Sequence, residues 1–113
     1  MLLMILKVVS AAATIATGLF SLFFPNRVTG FTGLDPRGGR GITEIRSVLG
    51  GFFVALGAAP LILWADAAFT MLGIAYLVVA AVRLVSMFID QSIERSNWIS
   101  LAAEVVLGVI LVL

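Results

Sequence analysis

The chain has 113 residues, a formal net charge of +1, and neither cysteine nor histidine. Its residues are 62% hydrophobic and 12% charged, against about 45–50% and 25% in soluble domains, and its mean hydropathy is +1.21. This composition predicts a single membrane domain. It excludes disulfides, argues against zinc, copper or haem as cofactors, and shows no basic excess that would suit nucleic acid.

Four apolar stretches follow one another, at residues of about 2–24, 44–64, 67–89 and 98–113. A membrane-spanning helix needs about 20 mostly apolar residues, and backbone in lipid must satisfy its own hydrogen bonds. We therefore predict an all-α, integral membrane four-helix up-down bundle that forms one domain over residues 1–113. The fourth stretch is short, so its helix is expected either to begin within residues 92–97 or to lie in a thinned bilayer.

The first stretch has two interpretations, a cleaved signal peptide or a retained helix. Signal peptides carry positive charge before an apolar run of about 7–15 residues. Here Lys7 follows apolar residues, and the apolar run continues well past Ala13. This pattern favours a retained helix.

The connection predicted at residues 25–43 is long and contains five glycines and two prolines. Loops of this length are often functional, but the pattern favours a segment that simply lies on the lipid headgroups. Its Arg37 and Arg40, among glycines, suit an anionic lipid headgroup, or they are ordinary basic residues of a cytoplasmic loop.

The positive-inside rule predicts the orientation of the chain. Most basic residues lie in or beside the first and third connections. We therefore predict a protein of the cell inner membrane with these two connections in the cytoplasm. Both termini then face outward. The opposite side carries only Lys7 and the acidic Asp66. The basic residues on the predicted cytoplasmic side are Arg27, Arg37, Arg40, Arg46 and Arg95.

Arg83 and Glu104 are the two ionisable residues deepest within apolar stretches. A charge at this depth costs about 2.5–3.5 kcal/mol on insertion scales and normally finds a partner inside the protein. Arg83 precedes Asp90 by seven residues and Glu104 follows Asn97 by seven, which places each about 10 Å from its helix end. Since the two helices run in opposite directions, we predict that these side chains face each other.

A larger charged cluster is expected around this pair. We predict that its members line the cytoplasmic half of the bundle, with a net charge that leaves room for one proton or cation. The cluster has two alternative roles, a ligand-binding site or internal structure. Its five predicted members are Glu44, Arg46, Arg83, Asp90 and Glu104.

Small and polar residues recur at helical spacing in three of the stretches. Such stripes let membrane helices approach closely, so we expect them at helix–helix contacts. The stripes are Ser10, Thr14 and Gly18 in the first stretch, Ser47, Gly51, Ala55 and Ala59 in the second, and Asn97, Ser100, Glu104 and Gly108 in the fourth.

The run Glu44-Ile45-Arg46-Ser47-Val48-Leu49-Gly50-Gly51, followed by Arg83 to Ser86 with Asp90 and then by Glu104, resembles a small bacterial family of four-helix membrane proteins, the domain-of-unknown-function family numbered 4345. The resemblance covers residues 5–113 and implies four spans with no known activity. The chain is also similar in length and span number to the small multidrug resistance transporters, but it has Thr14 where those carry a glutamate in their first helix.

Three functions remain open from the sequence. The first is binding or translocation of a small ion or polar ligand by the charged cluster. The second is a non-catalytic accessory or assembly role, in which the cluster is structural. The third, an enzyme acting on lipid headgroups, lacks any motif that specifies a reaction, so we do not expect an enzyme. Under any of the three functions, four short helices enclose little volume, which is compatible with a homo-oligomer.

Overall fold

The computed structural model describes all 113 residues, and they form helices and turns without any strand. The long helices are α1 (Leu2–Phe23), α2 (Gly38–Leu63), α3 (Asp66–Ile89) and α4 (Arg95–Val112). Each is long and apolar enough to cross a membrane. The predicted all-α class with four membrane-length helices is confirmed.

Helix α1 contains several hydroxyl side chains in an otherwise apolar sequence. Three of them, Ser10, Thr17 and Ser21, donate hydrogen bonds to the carbonyl four residues earlier, at 2.8, 3.0 and 3.1 Å. These bonds satisfy the hydroxyls within the helix, as an apolar surrounding requires. The helix ends just before Pro25, whose ring would clash with a continuing helix and which has no N–H to donate.

The connection between α1 and α2 is shorter and more regular than the predicted loop at residues 25–43. It holds a 3₁₀ turn at Pro25–Arg27 and one helical turn at Thr29–Thr32, and α2 already begins at Gly38. The glycines in this stretch argued against a helix. Arg40 and Glu44, four residues apart, are hydrogen-bonded at 2.8 Å, and such a pair supports the first turns of α2.

Helix α2 departs from regular α-helix at two places. Residues Ile45–Phe52 form a wider π-helix, and the buried Pro60 interrupts the hydrogen bonding further along. The helix ends at Leu63, and the next residue, Trp64, adopts the left-handed conformation (φ 48°) and donates its N–H to the Pro60 carbonyl at 2.9 Å. The hydrophobic pattern of the sequence carried no sign of the π-helix.

By internal contacts the chain divides into two compact units, residues 11–64 and residues 1–10 with 65–113. In the first unit, α1 and α2 pack through glycines. A Cβ at Gly57 would lie 2.6 Å from the Ala11 carbonyl oxygen, and one at Gly18 would lie 2.7 Å from the Gly50 carbonyl oxygen. Such close backbone approach leaves room only for hydrogen at these positions.

In the small-residue stripe predicted for α2, Ser47, Gly51 and Ala55 are exposed and only Ala59 is half-buried, so most of the stripe does not lie at a helix contact. Gly50 and Gly57 face α1 instead. The π-helix fits more than four residues into a turn, so positions spaced for a regular α-helix no longer share one face. The stripe predicted for α1, from Ser10 to Gly18, is buried as expected.

In the second unit, α3 and α4 form an antiparallel hairpin. The helices cross where Gly73 meets Gly108, since a Cβ on Gly73 would lie 2.9 Å from the Gly108 carbonyl oxygen. Phe69 and Leu111 are fully buried near this crossing, at 1% and 0% exposure. The crossing sets the register that brings polar residues of the two helices together further along.

Candidate functional site

Arg83 on α3 binds Glu104 on α4 through two parallel hydrogen bonds. The Nε group donates to Oε1 and the Nη2 group donates to Oε2, each at 2.8 Å. The side chains are 30% and 12% exposed, respectively. This two-bond geometry is the strongest that an arginine makes with a carboxylate, and the pair joins the two helices in the predicted register.

Asn97 provides a third hydrogen-bond acceptor for the guanidinium of Arg83. Its Oδ1 accepts a hydrogen bond from Arg83 Nη1 at 2.9 Å, and its Nδ2 donates to the Ser92 carbonyl at 2.8 Å. The amide thereby links the arginine to the turn between α3 and α4. It also holds the first turn of α4 against that turn.

The turn itself is built as a helix-ending motif. Gln91 adopts the left-handed conformation (φ 53°), and the Ser92 N–H bonds to the Met87 carbonyl at 3.0 Å, which is the pattern of a Schellman cap. The motif ends α3 at Ile89 and aims the Ser92 carbonyl at Asn97. The site is therefore supported by backbone as well as by side chains.

Two hydrogen-bond donors of Arg83 are left over. A guanidinium carries five N–H groups, and three of them bind Glu104 and Asn97. One N–H on each Nη nitrogen has no acceptor in the protein. Since the side chain is partly exposed, these groups are available to a ligand or to water.

A cavity of about 450 Å³ lies beside the guanidinium, a volume within the usual range for small-ligand sites. Its walls combine apolar and polar side chains, and all of them come from α3, the following turn and the start of α4. The lining residues are Val78, Val79, Val82, Arg83, Ser86, Met87, Asp90, Ser92 and Asn97. The cavity offers hydrogen-bonding groups and an unpaired carboxylate beside four apolar side chains.

The predicted five-member cluster is distributed differently from the prediction. Arg83 and Asp90 line the cavity, while Glu104 binds the guanidinium without lining it. Glu44 is hydrogen-bonded to Arg40, and Glu44 and Arg46 belong to the unit of residues 11–64. The convergence of all five residues remains a prediction.

Arg40, predicted with Arg37 as an anionic-lipid contact, is 80% exposed in its pair with Glu44. The carboxylate of Glu44 neutralises part of the positive charge that Arg40 would otherwise present to an anionic headgroup. Arg37 lies next to Gly38, which adopts a left-handed conformation (φ 61°). The lipid contact at this loop remains a prediction.

Sequence reasoning missed two residues. The sequence predicts Asn97 on the polar stripe of α4 and does not single it out for the site, although it lies seven residues, two helical turns, before Glu104 and therefore on the same face. Lys7, predicted only as a charge near the amino terminus, is buried at 7% exposure. No pattern in the sequence distinguishes this lysine from one that reaches the membrane surface.

These features define a class of protein: an all-helical chain with four helices of membrane-spanning length and a polar cavity beside an Arg–Glu pair. The chain belongs to the family described as Domain of unknown function (DUF4345), whose model matches residues 2–113. No curated protein and no solved structure matches it significantly. The family resemblance noted in the sequence is thus confirmed.

Proposed function

We propose that this protein is a non-enzymatic, multi-pass protein of the bacterial inner membrane that binds or translocates a small polar or ionic ligand in the Arg83 cavity. The observation that carries the proposal is the cavity itself, with two unused guanidinium donors and an unpaired carboxylate on one wall. Because the Arg83 side chain is 30% exposed, a ligand can reach these donors. A bound polar group would accept hydrogen bonds from them.

The charge of the site supports a polar ligand. Arg83 and Glu104 neutralise each other, so Asp90 leaves the site with an excess negative charge. A ligand with an acceptor group for Arg83 and a cationic or donor group near Asp90 complements this pattern. A bare cation would use only the carboxylate.

An accessory or assembly role, with the chain forming a homo-oligomer, is the second candidate. It is favoured by the completeness of the Arg83–Glu104–Asn97 network, since three of the five guanidinium donors are already bound within the protein. A buried polar network of this kind can serve only to fix helix register.

Blocking the cavity tests the binding proposal. A ligand that binds only the folded state raises the free energy of unfolding, so sodium ion, ethanolamine, glutamate, inorganic phosphate and defined phospholipids are screened by thermal unfolding of the purified protein. We expect at least one probe to raise Tm by several degrees, and Ser86→Phe, which fills the cavity, to abolish the effect.

Val85→Phe is the matched control, because Val85 is the neighbouring residue on α3, is 57% exposed and does not line the cavity. This variant should keep the shift. If no probe shifts the wild-type protein, or if Ser86→Phe and Val85→Phe respond alike, the accessory role becomes the better explanation.

Labelling of introduced cysteines tests the proposed orientation. The chain has no cysteine of its own, so single cysteines at Asp35, Ser92 and Ala65 report cleanly. In intact cells an impermeant thiol reagent should modify the cysteine at Ala65 and spare the other two, because the arginine-rich connections are placed in the cytoplasm. Lysed cells should show labelling at all three positions, and the reverse pattern in intact cells would refute the orientation.

A further inference from the structure

The α3 residues that line the cavity begin with three valines, and the two charged residues lie further along. Val78, Val79 and Val82 come first, Arg83, Ser86 and Met87 follow, and Asp90 is the cap residue after the last residue of the helix. A membrane phospholipid has the same order along its length: an acyl chain, then a phosphate, then the headgroup. The order of apolar and charged lining residues along α3 therefore matches a lipid molecule that lies alongside this helix more closely than it matches a small solute.

Arg83 is the residue that would bind the phosphate of such a lipid. One N–H on each Nη nitrogen has no acceptor in the protein, and guanidinium donors suit phosphate oxygens geometrically and electrostatically. Because Glu104 and Asn97 already hold the side chain in place, little conformational entropy is lost when the phosphate binds.

Asp90 is the residue that would contact the headgroup of such a lipid. Asp90 is exposed, and its carboxylate takes part in neither of the two ion pairs, Arg40–Glu44 and Arg83–Glu104. It also caps the carboxyl end of α3, where the helix dipole adds partial negative charge. A cationic group is favoured at this position and an uncharged or anionic headgroup is not.

We propose, resting on the function proposed above, that the ligand of this cavity is a zwitterionic aminophospholipid of the phosphatidylethanolamine class. Its phosphate binds the two unused N–H groups of Arg83, its ammonium group pairs with Asp90, and an acyl chain lies along Val78, Val79 and Val82. Arg83 and Asp90 lie seven residues apart on α3, about 10 Å along the helix axis. An arginine side chain and a phosphoethanolamine group together span that distance.

The test compares two lipids with identical acyl chains, phosphatidylethanolamine and phosphatidylglycerol, titrated against the full chain in detergent with Kd measured by native mass spectrometry. We expect phosphatidylethanolamine to bind roughly fivefold more tightly, the ratio that one solvent-exposed ion pair supplies. In Asp90→Asn the two lipids should bind equally. Asp66→Asn, an exposed acidic residue at the opposite end of α3, should retain the wild-type preference.

Three results would overturn the inference. They are equal binding of both lipids to the wild type, a preference that survives in Asp90→Asn, and binding of glycerophosphoethanolamine, which has no acyl chains, as tightly as the lipid. If both lipids fail while ethanolamine or glutamate still raises Tm and Ser86→Phe abolishes that shift, the lipid is refuted and the binding function stands. If every probe fails, both are refuted.

Discussion

Replacing either member of the Arg83–Glu104 pair should destabilise the protein by about 2 kcal/mol, a value between those of fully buried and of exposed ion pairs. Arg83→Met leaves the carboxylate of Glu104, only 12% exposed, without its partner. Glu104→Leu leaves an unpaired guanidinium. The double variant Arg83→Met with Glu104→Leu removes both charges and should be more stable than the sum of the single losses predicts.

The measurement is a double-mutant cycle in detergent, followed by thermal or denaturant unfolding, with a coupling energy of about 1 kcal/mol or more expected. The pair formed by Arg40 and Glu44 is the matched control, because its N–O distance is also 2.8 Å but its side chains are 80% and 54% exposed. Its cycle should show much weaker coupling. Additive losses for Arg83 and Glu104 would contradict a direct contact between the two side chains.

Gly57→Ala should destabilise the protein by about 2 kcal/mol, a typical cost of overpacking. The new Cβ would lie 2.6 Å from the Ala11 carbonyl oxygen and 2.9 Å from the Ile15 backbone nitrogen. Backbone atoms cannot rotate away as a flexible side chain does. Helices α1 and α2 must therefore separate, and the loss should appear as a lower Tm in detergent.

Gly51→Ala is the control on the same helix. The nearest atom to its Cβ would be the Arg46 carbonyl oxygen at 3.8 Å, an ordinary contact, and alanine favours helix over glycine by about 1 kcal/mol. This variant should match or slightly exceed the wild type. If Gly57→Ala were equally well tolerated, the close approach of α1 and α2 would be refuted.

The fold was largely predictable because a bilayer imposes few choices. Long apolar runs must be helices in lipid, and the four runs are separated by Pro25, Trp64–Asp66 and the polar residues from Asp90. Boundaries were less predictable. Glycines between Gly38 and Gly41 concealed the start of α2, and the Arg40–Glu44 hydrogen bond that supports it depends on side-chain geometry.

Part of the site was also predictable. Arg83 and Glu104 are conspicuous because charges are rare in apolar stretches, and equal distances from the helix ends imply equal depth. The depth of Glu44 along its helix does not show whether it belongs to the same cluster. In the structure its carboxylate accepts a hydrogen bond from Arg40. Which charged side chains pair depends on how each helix is rotated about its own axis. The π-helix in α2 changes the direction in which the side chains of that helix point, and the sequence pattern does not reveal it.

The sequence by itself determined the helical class, the four membrane-length helices and the depth of Arg83 and Glu104, because each follows from hydrophobicity and the fixed rise of a helix. Only the tertiary structure decided that Gly57 rather than Gly51 contacts α1, that Asn97 binds the guanidinium, and that a cavity lies beside it. These features depend on the rotation and crossing of packed helices. That geometry is set by contacts between residues far apart in the chain, such as Gly73 with Gly108, which no local pattern specifies.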